Sequence, residues 1–231
     1  MHPVMRIPEL SQRDRFVRRV VAQKGAYAVS GEDGLARVAS PSGAGRDVTL
    51  FWASESEARR WADVLTRNPR VKLIPVNELI GEVLPRLEEL GRSVGLDWSA
   101  EPVECELEPN ELIARLRHEG VEAFLQRARL RRSVWMLEDT SGPAMLVSAH
   151  RPDQLVLPCW ASRSDAEARI AGPWSEMLAV EIPLDNFVAV TLPWLAAQGW
   201  TVAPSHAQGA DTIEVGPGEF ARRFAPEAIP A

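Results

Sequence analysis

Cysteine occurs twice, histidine four times and tyrosine once in 231 residues. Cys105 and Cys159 cannot build a disulfide framework, and neither sits among the closely spaced ligands a zinc site needs. No metal and no cofactor is expected. Apolar runs are short, well under the roughly 18 residues that cross a bilayer, so no membrane association is expected. The opening Met1-His2-Pro3-Val4-Met5-Arg6 has no signal-peptide apolar stretch, and the expected location is the cytoplasm. Excess positive charge is also missing: 26 basic residues face 32 acidic ones, for a net charge of −6. Nucleic-acid binding, which depends on neutralising phosphates, is therefore disfavoured. Gly31, Gly34, Gly43 and Gly45 are not followed by the Lys-Ser/Thr of a phosphate loop, and read as turn residues.

What is present is a repeat. Phe51-Trp52-Ala53-Ser54 returns as Cys159-Trp160-Ala161-Ser162, an offset of 108 residues. The same offset carries Phe16 to Phe124, Gly34 to Gly142, Ile74-Pro75 to Ile182-Pro183, Leu84-Pro85 to Leu192-Pro193, Gly91 to Gly199 and Pro109 to Pro217. One spacing without insertions indicates a tandem duplication. Cys105 and Cys159 fall opposite Ile213 and Phe51, so each reads as a small core hydrophobe.

The expected domains are 1–118, with a lead-in over 1–10, and 119–231. The composition, 45% hydrophobic and 25% charged, is that of chains that fold by themselves. Phe16, Val17, Val20 and Val21 recur at helical spacing among arginines, predicting an amphipathic helix over 11–23. Segments 26–29 and 35–39 predict a hairpin around Gly34, and Val48–Trp52 a third strand. Ser54 with Glu57 forms a capping box for a helix through 65. A strand over 71–76 precedes a helix over 78–90 that Asn77 caps, Pro85 kinks or splits, and Gly91 ends. Strands over 94–98 and 103–107 and a helix from Asn110 close the unit, and the second copy repeats the plan. The fold class is α+β: two tandem homologous domains, each a small mixed β-sheet packed with helices. At His118-Glu119-Gly120 the last helix of one unit runs into the first of the next, with Gly120 placed to bend or break it. The units are expected to pack as an internal pseudo-dimer, in a monomer or weak homodimer.

The second unit, with Ser133-Val134-Trp135-Met136-Leu137, Val156-Leu157-Pro158-Cys159-Trp160, Ile182-Pro183-Leu184-Asp185-Asn186-Phe187, Leu192-Pro193-Trp194 and Gly199-Trp200-Thr201-Val202, resembles the bacterial domain-of-unknown-function 2750 family. The first unit resembles it through Val94-Gly95-Leu96-Asp97-Trp98-Ser99 and Glu108-Pro109-Asn110-Glu111-Leu112. The resemblance covers 16–117 and 124–225 and implies a small α/β domain with no assigned activity. A fainter likeness to the N-terminal domain of the secretion-enhancer protein SseB rests on the order strand, serine-capped helix, strand, helix. Neither implies catalytic residues.

Three sets of polar residues invite a chemical reading. Ser205, His206 and Asp211 share one loop and could meet as a triad, although a flexible polar loop accounts for them as well. Glu104, Glu106 and Glu108, with Glu101 nearby, could hold a metal, although an exposed strand face explains the alternation, and only Glu106 has an acidic counterpart, Glu214. Arg13, Arg15, Arg18 and Arg19, and then Arg127, Arg129, Arg131 and Arg132, could receive an acidic protein or could form solvated helix faces. Trp52 and Trp160 should be core anchors. Trp98, Trp174, Trp194 and Trp200 have no tryptophan across the repeat. With Arg127 and Arg131 they are the candidate interaction surface. The expected function is a non-catalytic binding or regulatory protein, adaptor or immunity-like, acting through a protein partner. The alternative is a small hydrolase using the carboxylates or the Ser/His/Asp loop.

Overall fold

The computed structural model describes residues 7–41, 43, 45–99, 105–206 and 212–224. The chain divides into two compact units, Met1–Glu119 and Gly120–Ala231. In the first, the helix Ile7–Gln23 leads into β1 (Gly25–Gly31), β2 (Gly34–Leu35), β3 (Arg37–Ala39) and β4 (Asp47–Trp52). The helix Glu55–Leu65, β5 (Arg70–Pro75), a helix over 76–89, β6 (Ser93–Leu96) and β7 (Cys105–Leu107) follow. The first helix starts at Ile7, four residues ahead of the expected Ser11, so part of the lead-in is helical.

The sheet is mixed. β1 pairs antiparallel with β5 along its length and with β4 at Tyr27↔Trp52 and Ala28↔Phe51. β4 lies parallel to β6, and β6 antiparallel to β7. Alternation along the strands fills two cores. Ala26, Ala28 and Phe51 face Phe16, Val20, Leu84 and Leu116, while Val29, Leu50 and Trp52 face Ala58 and Ala62 of the helix Glu55–Leu65. Helices thus cover both faces of the sheet.

The second unit repeats this at the same offset: β8 (Ser133–Asp139), β9 (Gly142–Pro143), β10 (Leu146–Val147), β11 (Leu155–Cys159), β12 (Leu178–Pro183) and β13 (Thr201–Pro204) fall where β1 to β6 predict. β11 and β13 are again parallel. β8 and β11 meet only at a bridge between Trp135 and Trp160, the counterparts of Tyr27 and Trp52. The stretch after Ser162 departs from the plan. The 11-residue helix of the first copy becomes the short helix Arg163–Glu167 and a 3₁₀ turn, Gly172–Trp174.

Both copies carry a π-helical turn, Leu79–Val83 and Phe187–Thr191, one residue ahead of Leu84-Pro85 and Leu192-Pro193. Each proline lacks an N–H and its ring would press on the carbonyl four residues back. The wider turn accommodates this, with Leu84 N–H donating to Leu79 O and Leu192 N–H to Phe187 O. Pro85 therefore widens the helix without splitting it. The residue at its N-cap is Pro75, and Asn77 lies inside the first turn. Gly91 and Gly199 end these helices at φ 64 and 73, and Trp200 N–H closes back on Leu195 O at 2.9 Å. The helix Pro109–Arg131 is continuous through Gly120. Cys105 and Cys159 are buried, each in an apolar core, and form no disulfide.

Candidate functional site

The parallel strands β4 and β6 present their carboxyl ends side by side, the place where open α/β sheets bind ligands. Side chains tie this end together. Trp52 is fully buried and its Nε1 donates to Trp98 O at 3.0 Å. Ala53 N–H donates to Asp97 Oδ1 at 2.6 Å, and Gln23 Nε2 to Ala53 O at 3.0 Å. Gln12 Nε2 donates to Leu96 O at 2.8 Å and to Asp97 O at 3.0 Å. Asp97 sits at φ 48, a left-handed conformation that aspartate tolerates better than most residues.

Beside this junction lies a cleft of about 480 Å³, lined by Glu57, Arg60, Trp61, Val64, Asp97 and Trp98. Burial pushes the Asp97 carboxyl above the usual carboxylate range; the Ala53 N–H pulls it back down, and the negative Glu57 raises it further. Glu57 does not close the capping box. Its Oε2 is buried with no hydrogen-bond partner, and the Ser54 hydroxyl pairs with that of Ser56 at 2.8 Å. The expected cap occurs in the second copy alone, where Asp165 N–H donates to Ser162 Oγ at 3.2 Å.

The same frame in the second copy carries other side chains: Asp165 replaces Glu57, Arg169 replaces Trp61, Ser205 replaces Asp97 and His206 replaces Trp98. Trp160 Nε1 donates to His206 O at 3.0 Å, and Ser205 sits at φ 57. The His206 ring is 8% exposed, as Trp98 is, so it is a buried wedge and not the flexible loop residue the sequence suggests. Its Nδ1 lies 3.1 Å from Thr212 Oγ1 and its edge meets Trp174, which also packs on Trp160. Burial, with the Arg169 charge, pushes its pKa down to about 4, leaving it neutral at pH 7. His206 thus faces the core while Ser205 is exposed. Asp211 lies outside the described residues.

Glu106 and Glu214 act as clamps. Glu106 accepts from Ser40 Oγ at 2.9 Å and Ser93 Oγ at 3.3 Å; Glu214 accepts from Ser148 Oγ at 2.8 Å, Ala149 N–H at 3.0 Å and Thr201 Oγ1 at 3.4 Å. The serine and hydroxyl partners correspond across the repeat, which explains why, of Glu101, Glu104, Glu106 and Glu108, Glu106 alone has an acidic counterpart. Glu108 takes a two-point ion pair from Arg46 at 2.9 Å, which lowers its pKa. Glu101 and Glu104 lie outside the described residues. Among the described residues, no three of His, Cys, Asp and Glu gather as a metal site.

Of the candidate surface, Trp194 and Trp200 come together, edge to face at 5.3 Å. Trp194 is 40% exposed and Val190, one turn before it, 64% exposed, whereas Trp200 also packs against the core. Their counterparts in the first copy are Arg86, Glu82 and Arg92. Trp98 lines the first unit's cleft and Trp174 is half-buried beside Trp160. Arg127 is half-buried and Arg131 exposed on their helix. Arg13 is not on a solvated face: it is buried and bonded to Glu111 at 2.7 Å. The sequence reading missed Glu57, Trp61 and Asp97. The signal available was that their counterparts differ in chemistry at positions the fold treats alike.

Among the described residues, no helix is long and apolar enough to cross a membrane. No curated protein matches the chain. Among solved structures, Anabaena Tic22 (protein transport) is 11% identical, covering 93% of this chain and 98% of that one, with a TM-score of 0.25. Tic22 from Plasmodium falciparum is 8% identical, covering 75% and 86%, with a TM-score of 0.24. Scores this low carry no inference about fold or role. Both halves of the repeat are matched by one family, described as protein of unknown function (DUF2750), at residues 13–116 and 121–224, and the chain therefore belongs to that family, carrying its domain twice in tandem.

Proposed function

We propose that the chain is a non-catalytic binding or regulatory protein of the bacterial cytoplasm that holds a protein partner on the surface of its second copy. One observation carries the reading. At equivalent positions of the same helix and its exit, the first copy has Glu82, Arg86 and Arg92, and the second has Val190, Trp194 and Trp200. The first copy indicates that the fold does not need apolar side chains there. Exposed aromatic area that the fold does not require is the commonest mark of a protein interface. The cytoplasmic placement is supported by two cysteines that form no disulfide.

The test is affinity capture from the native cell with the wild-type chain and with Trp194→Arg, which copies the first unit's residue. One stoichiometric protein should be captured by the wild type and lost with the variant, while the melting temperature changes little. Equal capture by both, or turnover of a hydrolase substrate by the purified monomer, would refute the proposal.

A further inference from the structure

The first copy's cleft is a second place where the copies differ, independent of the Trp194 surface. We propose that it binds the guanidinium group of an arginine side chain from a protein partner.

Its walls are the indoles of Trp61 and Trp98, with Val64 at the rim, 76% exposed. Two carboxylates, Glu57 and Asp97, line the same cleft. Asp97 Oδ1 is engaged by the Ala53 N–H, but Glu57 Oε2 is buried with no donor. The complement to two indoles and two carboxylates is a flat cation with several N–H groups. Guanidinium has that form: five donors in a plane whose faces stack on aromatic rings. The volume, about 480 Å³, admits one such side chain.

Other charges act on the cleft. Arg60 lines it, exposed, and Arg15 and Arg19 act on Asp97 more weakly than Glu57 does. The lining decides the sign of the ligand: two carboxylates, Glu57 and Asp97, stand against the single cation Arg60. In the second copy the wall residue Trp61 is Arg169 and the carboxylate Asp97 is Ser205, so the equivalent position lacks both elements.

The test follows the indole N–H resonances of Trp61 and Trp98 in the full chain during titration with a capped Gly-Arg-Gly peptide. Its citrulline analogue has the same shape without the charge, and inorganic phosphate serves as the anionic probe. The arginine peptide should shift both resonances saturably and leave Trp194 unmoved, with citrulline at least tenfold weaker and phosphate inert. Glu57→Gln should weaken the arginine peptide at least fivefold while the other indole resonances stay in place. Equal binding of citrulline or of a lysine peptide, a phosphate response at the same resonances, an unaffected Glu57→Gln variant, or no saturable shift would each overturn the proposal.

Discussion

Gly95 and Trp98 in the first copy correspond to Ala203 and His206 in the second, and the pairs should be exchangeable only together. A Cβ on Gly95 would lie 2.5 Å from Leu50 Cδ2, 2.7 Å from Trp98 Nε1 and 2.8 Å from Trp98 Cε2, well inside contact distance. Overpacking of that kind costs about 1–3 kcal/mol. Replacing a strand glycine would otherwise gain about 0.5–1 kcal/mol, so Gly95→Ala should destabilise by about 1–2 kcal/mol. Trp98→His alone empties a buried site and removes the indole's 3.0 Å bond to Cys105 O, a loss of about 3 kcal/mol. In the double variant the new methyl group fills part of the space the indole leaves, which is the combination the second copy carries as Ala203 and His206. Its cost should fall short of the sum by at least about 1 kcal/mol. Urea unfolding of the wild type, both single variants and the double variant measures this, with the slope expected to stay constant. Single-variant losses that add within about 0.3 kcal/mol, or a neutral Gly95→Ala, would refute the packing argument.

Three further outcomes follow from the same structure. His206 is held near pKa 4 in the folded chain against an ordinary value near 6.5, so the unfolded chain binds more protons between those values. Stability should fall as pH drops from about 6.5 towards 4, by about 2 kcal/mol after allowing for partial solvent access, and His206→Gln should flatten that slope. Asp97, shifted upward, acts with the opposite sign in acid but is common to both proteins, so the difference between their pH profiles isolates the histidine. Gly199→Ala, at φ 73, should cost about 1 kcal/mol in thermal unfolding, and a neutral result would mean the helix ends otherwise. Burial raises the Cys159 thiol well above its ordinary value, and Cys105 is also buried. A thiol reagent at pH 8 should therefore label neither until the chain unfolds. Rapid labelling of the native protein would contradict that packing.

The duplication was legible because fold-determining residues recur: Trp52 and Trp160 end equivalent strands, and Gly91 and Gly199 turn equivalent helices. The fold class followed from the same periodicities. Local signals failed where a tertiary partner competed for the same group. Ser54 and Glu57 spell a capping box, yet the serine turns to Ser56 and the glutamate lines a cleft. Arg13 looks like one of a row of surface arginines, yet it is buried and paired with Glu111, a partner far along the chain that no local pattern names. Pro75 opens the next helix ahead of Asn77 because its fixed φ of −55 suits the entry, a feature propensity ranks below asparagine. His206 was hardest to place by type alone, since a histidine after a left-handed serine in a polar stretch looks like a loop. The offset that pairs it with Trp98 shows that the slot is buried.

A repeat within one chain also acts as a control, since both copies fold under the same constraints. Positions alike in chemistry, such as Glu106 and Glu214, answer a need of the fold: each carboxylate clamps a serine from the preceding loop and a hydroxyl on the neighbouring strand. Positions that differ divide into two kinds. Gly95 with Trp98 against Ala203 with His206 is a paired difference, in which the larger strand residue goes with the smaller wedge, and in the first copy the larger wedge, Trp98, also lines the cleft. Glu57, Trp61 and Asp97 against Asp165, Arg169 and Ser205, and Arg86 and Arg92 against Trp194 and Trp200, have no such internal compensation. They change the charge and apolarity of a cleft in one copy and of a helix face in the other. Differences of that sort are not demanded by the shared frame, and the two proposed binding surfaces lie at different points of it, one in each copy.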